Sequence, residues 1–228
     1  MIRVKICGLM TEADIRLCVK AGADALGFVT EYPVPVPWNI DRETARKLVS
    51  KTPPFVTTTA VVGGTVENIL QIADIVKPHF LQLHGDEAKD DIDYICSTLA
   101  GKGMKVIKAL RIDVDTGKAR FSLEDPLKAA KVLATTGISG LAVDSRTSKR
   151  PAGTGVPLDW SIVGRIASSI KIPLILAGGL TIQNVTEAIK RVRPYGVDII
   201  SGVEKAPGVK DENLVRQFVE TVKRIRIT

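Results

Sequence analysis

Eight short, mostly β-branched runs alternate with eight longer amphipathic stretches, and few folds accept that rhythm. The strand-like runs are Val4–Cys7, Ala25–Val29, Val56–Val62, Phe80–Leu83, Lys105–Leu110, Gly140–Asp144, Pro173–Ala177 and Val197–Ile200. Helical periodicity covers Thr11–Ala21, Asp41–Lys51, Val66–Val76, Ala88–Leu99, Leu123–Thr135, Asp159–Ile170, Ile182–Val192 and Asp211–Ile225. The strand runs are apolar on both sides of their period, as parallel strands are when helices cover one face and a packed interior the other. A doubly wound open sheet would also give this pattern. Eight units in 228 residues favour an α/β fold closed as a single (β/α)8 TIM barrel. No Pro/Ser/Gly-rich linker divides the chain, so residues 1–228 are expected to form one catalytic domain.

Local signals support these boundaries. Thr11 precedes Glu12 and Asp14, Thr181 and Asn184 open a helix, and Asp159 stands before Trp160. Gly8, Gly85, Gly178, Gly179 and Gly202 follow strands, where turns need positive φ or close backbone approach. One segment is odd: Tyr32-Pro33-Val34-Pro35-Val36-Pro37, a proline-alternating loop after the second strand.

Composition narrows the function classes. A net charge of +7 is compatible with nucleic acid, an anionic small substrate or a charged surface. The cations alternate with acids along predicted helices, and aromatics are only 4%, which argues against nucleic-acid binding. No apolar stretch approaches the roughly 18 residues of a membrane span. The start, Ile2-Arg3-Val4-Lys5-Ile6, is too short and too charged for a secretory leader, so a cytoplasmic protein without membrane contact is expected. Cys7, Cys18 and Cys96 have no CxxC pairing, and His79 and His84 form no ligand cluster with them, so no metal is expected. Cys18 and Cys96 sit in helical patterns as buried thiols.

Two reactive side chains close strand runs: Cys7 in Val4-Lys5-Ile6-Cys7-Gly8, and Asp144 in Gly140-Leu141-Ala142-Val143-Asp144-Ser145. In a parallel barrel such ends share one mouth, where a thiol and a carboxyl can exchange protons with one substrate. Each also has a plain structural reading. Cys7 alone fits a small buried hydrophobe, and Asp144 alone fits a cap of the following turn. Ala177-Gly178-Gly179-Leu180 and Ser201-Gly202-Val203-Glu204 follow the last two strands, where barrels offer backbone amides to a phosphate. Ala152-Gly153-Thr154-Gly155 is a weaker candidate to close over the same ligand.

Taken in order, Val4-Lys5-Ile6-Cys7-Gly8, Leu81-Gln82-Leu83-His84-Gly85, Val143-Asp144-Ser145, Gly153-Thr154-Gly155, Ala177-Gly178-Gly179-Leu180, Ser201-Gly202-Val203-Glu204 and Pro207-Gly208-Val209-Lys210-Asp211 resemble the phosphoribosylanthranilate isomerase family. The resemblance implies a (β/α)8 barrel in tryptophan biosynthesis. Its reaction is a cofactor-free Amadori rearrangement of N-(5-phosphoribosyl)anthranilate to the 1-deoxyribulose 5-phosphate isomer. It further implies Asp144 as general acid and Cys7 as general base. The acid needs its pKa raised by burial or a nearby anion; the thiol needs the opposite shift, which a cation such as Lys5 would favour. His84 lines the mouth or braces its strand end. Asp198 meets the amine or ribose hydroxyls, or forms a salt bridge inside the barrel. Phosphate binding falls to Gly155, Gly178, Gly179, Ser201 and Gly202.

The loop after the second strand departs from the family pattern. Where an arginine is expected to hold the anthranilate carboxylate, alignment on Ile40-Asp41 places Trp38. Indole offers one neutral donor and cannot replace a bidentate guanidinium. Either another cation substitutes, with Arg146, Lys149 and Arg150 as candidates and Trp38 stacked on the aromatic ring, or the aglycone differs. A paralogous sugar-phosphate isomerase and a non-catalytic phosphate-binding barrel are the competing functions. The expected partner is a small phosphorylated substrate, and the chain is monomer or homodimer.

Overall fold

The computed structural model describes residues 1–147 and 156–226. Eight parallel strands hydrogen-bond in chain order and the last closes on the first. They are β1 (Arg3–Ile6), β2 (Ala25–Val29), β3 (Thr57–Val62), β4 (Phe80–Leu83), β5 (Lys105–Asp113), β6 (Gly140–Arg146), β7 (Leu174–Leu176) and β8 (Gly196–Ile199). Outside run α1 (Glu12–Ala21), α2 (Arg42–Lys51), α3 (Val66–Val76), α4 (Lys89–Ala100), α5 (Pro126–Leu133), α6 (Trp160–Ser169), α7 (Val185–Val192) and α8 (Glu212–Arg224). Among the described residues no helix is long and apolar enough to cross a membrane.

Short polar side chains start most of these helices. Thr11, Asp41, Thr65, Asp125, Asp159 and Asp211 each accept a backbone N–H of the first turn, and Thr11 with Asp14 completes a capping box. Each such cap contributes about 1 kcal/mol. The pleat then sorts the side chains. Outward residues such as Val4, Ile6, Leu26 and Phe28 join the main core under the helices. Ile107, Ala109 and Ala142 pack with Phe80 and Ile175 inside the barrel. A third cluster, Cys7, Val29, Tyr32, Trp38 and Val61, lines the mouth.

Four departures from the sequence pattern have physical causes. β5 and β6 run past the expected rim, pairing Arg111 with Asp144 and Asp113 with Arg146, so Asp144 lies within a strand rather than at its end. Polar residues hid that extension; mutual pairing supports it. α5 begins only at Pro126, which a helix interior would not accept. Residues 181–184 form a turn instead of the first turn of α7, with Thr181 N–H donating to Asn184 Oδ1 at 2.8 Å. Last, β9 (Glu204–Ala206) and β10 (Val209–Lys210) form a small antiparallel pair after β8. Cys18 and Cys96 are buried in α1 and α4.

Candidate active site

A cleft of about 750 Å³, counting its open mouth, sits over the C-terminal ends of the strands. Cys7, His84, Asp144 and Asp198 line it together with Gly178, Gly179, Ser201, Gly202 and Trp38. The topology therefore brings nine predicted residues to one space. Gly155, with the rest of residues 148–155, Lys149 and Arg150 among them, lies outside the described residues.

Cys7 is the first residue past β1 and is buried. Gly8 follows at φ 75°, and a Cβ there would stand 2.9 Å from the Trp38 ring. Asp144 enters from β6, with Oδ1 accepting the Ser145 N–H at 2.8 Å. Burial, reinforced by the charge of Asp198, pushes its carboxyl up to about 7, against the pull of that amide, Arg111 and Lys5. An acid of this kind holds a proton near neutrality. The thiol differs from expectation. Burial raises Cys7 above the ordinary thiol range, and Lys5 and Lys210 offset this only in part.

Asp198 forms the salt bridge inside the barrel and also reaches the cleft wall. Its Oδ2 accepts Lys5 Nζ at 2.8 Å inside the barrel, where Lys5 and Asp198 are Cα partners across β1 and β8. Burial alone would lower the Lys5 ammonium, but the Asp198 and Cys7 charges outweigh it and raise it. Asp198 Oδ1 is buried without a partner among the described residues and belongs to the cleft wall.

His84 Nε2 lies 3.4 Å from Asp144 Oδ2, off the hydrogen-bonding axis, and neither ring nitrogen has a partner among the described residues. Burial, with Arg111, Lys108 and Lys5, holds its pKa down to about 3, so the imidazole is neutral. Its strand end is braced as well. Tyr32 Oη donates to the His84 carbonyl at 3.1 Å, and the next residue, Gly85, is clamped by the buried Lys108–Glu87 pair.

The glycine loops have the form an anion cradle needs. Gly178 and Gly179 sit at φ 80° and 63°. A Cβ on Gly178 would overlap Ser145, on Gly179 the Val156–Pro157 backbone, and on Gly202 the Leu180 carbonyl. Among the described residues the amides of all three donate to nothing in the protein. Asn184 Nδ2 donates to the Gly179 carbonyl at 2.9 Å and holds the loop in shape.

Opposite lies an apolar slot of Val29, Tyr32, Val36, Trp38 and Val61. Asn39 fixes its loop by bonding both the N–H and the C=O of Tyr32 at 2.8 Å. The Trp38 indole N–H donates to Glu204 Oε1 at 2.7 Å, and Lys210 Nζ reaches the same oxygen at 2.7 Å. Its one donor is thus occupied, while the ring contributes to the wall. Arg146, two residues beyond Asp144 on the same strand face, is half-buried with Nε unpartnered among the described residues, and it is not among the described residues that line the cleft. Arg111 is a second inward cation beside Asp144, bonded to Asp86.

Sequence reading missed Tyr32, Lys210 and Arg111. Each gains its place from a contact across strands or loops, and no local pattern marks such contacts.

The profile of the family described as N-(5'phosphoribosyl)anthranilate (PRA) isomerase matches residues 4–221. An N-(5'-phosphoribosyl)anthranilate isomerase of Haloferax volcanii is 41% identical over 227 residues, covering 99% of this chain and 95% of that protein. A solved phosphoribosyl anthranilate isomerase, in complex with reduced 1-(o-carboxyphenylamino)-1-deoxyribulose 5-phosphate, superposes with TM-score 0.78 at 31% identity, covering 99% of this chain and all of that one. Monomers generated from the dimeric enzyme of Thermotoga maritima give 0.79 at 30% identity, covering 99% and 100% of the two chains.

Proposed function

This chain belongs to the N-(5'-phosphoribosyl)anthranilate isomerase family, and on that premise we propose how its own residues divide the reaction. It is an isomerase of tryptophan biosynthesis, converting N-(5'-phosphoribosyl)anthranilate to 1-(2-carboxyphenylamino)-1-deoxyribulose 5-phosphate. The competing readings, a different aglycone or a barrel that only binds, give way to it.

The phosphate occupies the amides of Gly178, Gly179 and Gly202 beside Ser201; Gly155 lies outside the described residues. The ribose then lies over the barrel axis, and the anthranilate ring enters the slot of Tyr32, Val61 and Trp38. Asp144 gives its proton to the ring oxygen as the C1–O bond breaks and the nitrogen lone pair forms the iminium. Cys7, as thiolate, removes the C2 proton, and those electrons form the C1=C2 bond while the iminium pair returns to nitrogen. The enolamine takes a proton at C1 and loses one from O2 to give the ketose. Asp198 Oδ1 accepts a ribose hydroxyl, and neutral His84 borders Asp144 without changing charge. Arg146 stands just beyond the cleft lining and is assigned the anthranilate carboxylate in place of the expected arginine, a contact that requires its side chain to turn inward.

One observation carries this division: a carboxyl held near neutrality and a thiol enter the same cleft from β6 and β1, between an anion cradle and an aromatic slot. The whole chain acts as one catalytic domain, without a cofactor, in the cytoplasm, as monomer or homodimer. The test is the decay of substrate fluorescence. Cys7→Ser and Asp144→Asn should each lose at least about 100-fold in kcat, in line with general acid–base contributions of 10²–10⁴. Parental turnover in either variant overturns the assignment of that residue.

A further inference from the structure

A base that removes the C2 proton must be a thiolate, yet Cys7 is buried, and three charged side chains act on it from neighbouring elements. Lys5 acts from below on β1, Asp198 from β8, and Lys210 from β10. Asp144 and His84 face it across the cleft. Of the cations, Lys210 is already bound to Glu204, at 2.7 Å. Lys5 is placed differently. It lies two residues before Cys7 on the same strand face, and its Nζ stays inside the barrel, 2.8 Å from Asp198 Oδ2.

Gly27 of β2 shows how close the lysine and the thiol are. A Cβ on Gly27 would overlap Cys7 Sγ and stand 2.9 Å from Lys5 Cε. The sulfur and the end of the lysine chain thus share the one volume that a side chain at position 27 would fill. Gly27 has an ordinary backbone conformation, since it is absent from the positive-φ glycines. Turn geometry does not require glycine here. Space does.

Resting on Cys7 as the base, we infer that Lys5 is the positioning residue that supplies the thiolate's counter-charge, and that Gly27 is glycine so that the two can meet. Asp198 sets the strength of this coupling. It shares the ammonium through Oδ2 and opposes the thiolate with its own charge, while Oδ1 on the cleft wall is the atom a ribose hydroxyl reaches. Binding a hydroxyl there draws the carboxylate's charge toward the substrate and leaves Lys5 to the sulfur.

The experiment is alkylation of Cys7 by iodoacetamide across pH in the full chain, followed by mass mapping of the Cys7 peptide, alongside kcat/KM against pH. Lys5→Met should move the alkylation midpoint up by about one unit or more, the usual effect of losing an opposite charge at 4–6 Å. The alkaline limb of kcat/KM should follow, with its maximum down about tenfold per unit moved. Because Lys5→Met strands a buried carboxylate, the same comparison is made between Asp198→Asn and Lys5→Met/Asp198→Asn, neither of which contains that carboxylate. Gly27→Ala should shift the midpoint in the same direction. Midpoints unchanged in both lysine comparisons, with Cys7→Ser inactive, would overturn the role of Lys5 and leave Cys7 as base. Turnover retained by Cys7→Ser would instead remove the base itself.

Discussion

Asp144 Oδ2 and His84 Nε2 lie 3.4 Å apart, and burial pushes the two groups in opposite directions: the carboxyl up to about 7, the imidazole down to about 3. Both therefore favour their neutral forms, and the pair is not an ion pair at neutral pH. Burial sets the sign in each case, because it penalises whichever form is charged.

The rate profile follows from Asp144 and Cys7 together. The reactive form pairs a protonated Asp144 with a Cys7 thiolate, while the acid titrates near 7 and the thiol above its ordinary range. Between those values the two fractions change oppositely and their product stays flat. kcat/KM should fall below about pH 7 as thiolate is lost, hold a plateau, and fall again above the raised thiol value. A single sharp optimum below pH 6 in the fluorescence assay would contradict this.

Stability should respond to Asp144 and His84 with opposite signs. Asp144 binds a proton more tightly folded than unfolded, so its contribution is lost as pH rises from the unfolded carboxylate value through about 7. Asp144→Asn should therefore melt several degrees higher than the parent at pH 8 and show little gain at pH 4. His84 loses stability as pH falls from the unfolded imidazole value toward about 3. His84→Asn should keep more of its stability at pH 4–5. Thermal melts across pH 4–8 check both.

Trp38→Ala should raise KM about tenfold or more and leave kcat within a few-fold, because an aromatic wall is lost beside the slot. Trp38→Phe keeps the ring but removes the donor to Glu204, so it separates stacking from the hydrogen bond. KM values matching the parent in both variants would take Trp38 out of substrate binding.

Gly178→Ala places a Cβ on Ser145 at a φ of 80°, costing about 1–3 kcal/mol of stability. It should also weaken competitive inhibition by inorganic phosphate by more than about tenfold. Phosphate inhibition unchanged in a folded variant would move the anion elsewhere.

Arg146→Met should raise KM for N-(5'-phosphoribosyl)anthranilate about tenfold and spare phosphate inhibition, as loss of a charge-assisted contact does. Arg111→Met is the control, since Arg111 already bonds Asp86. An effect confined to Arg111 would transfer the carboxylate to it.

The eightfold strand–helix order is legible along the chain, because apolar period and short polar caps such as Thr11, Asp41 and Asp211 act within a few residues. The loops that carry Cys7, Gly178, Gly179 and Gly202 are legible there too, since strand ends and glycine turns are local features, whereas Asp144 proved to lie inside β6. The closed structure decided what those residues meet: Asp198 with Lys5 across the β8–β1 seam, Trp38 with Glu204, Gly27 against sulfur and lysine. It also decided the direction of the thiol's shift, upward rather than toward thiolate. Desolvation and charge act through space, and Lys5 and Asp198, which meet beside the thiol, lie 193 residues apart in the chain. No pattern along the chain encodes that distance; only closure of the barrel brings them together.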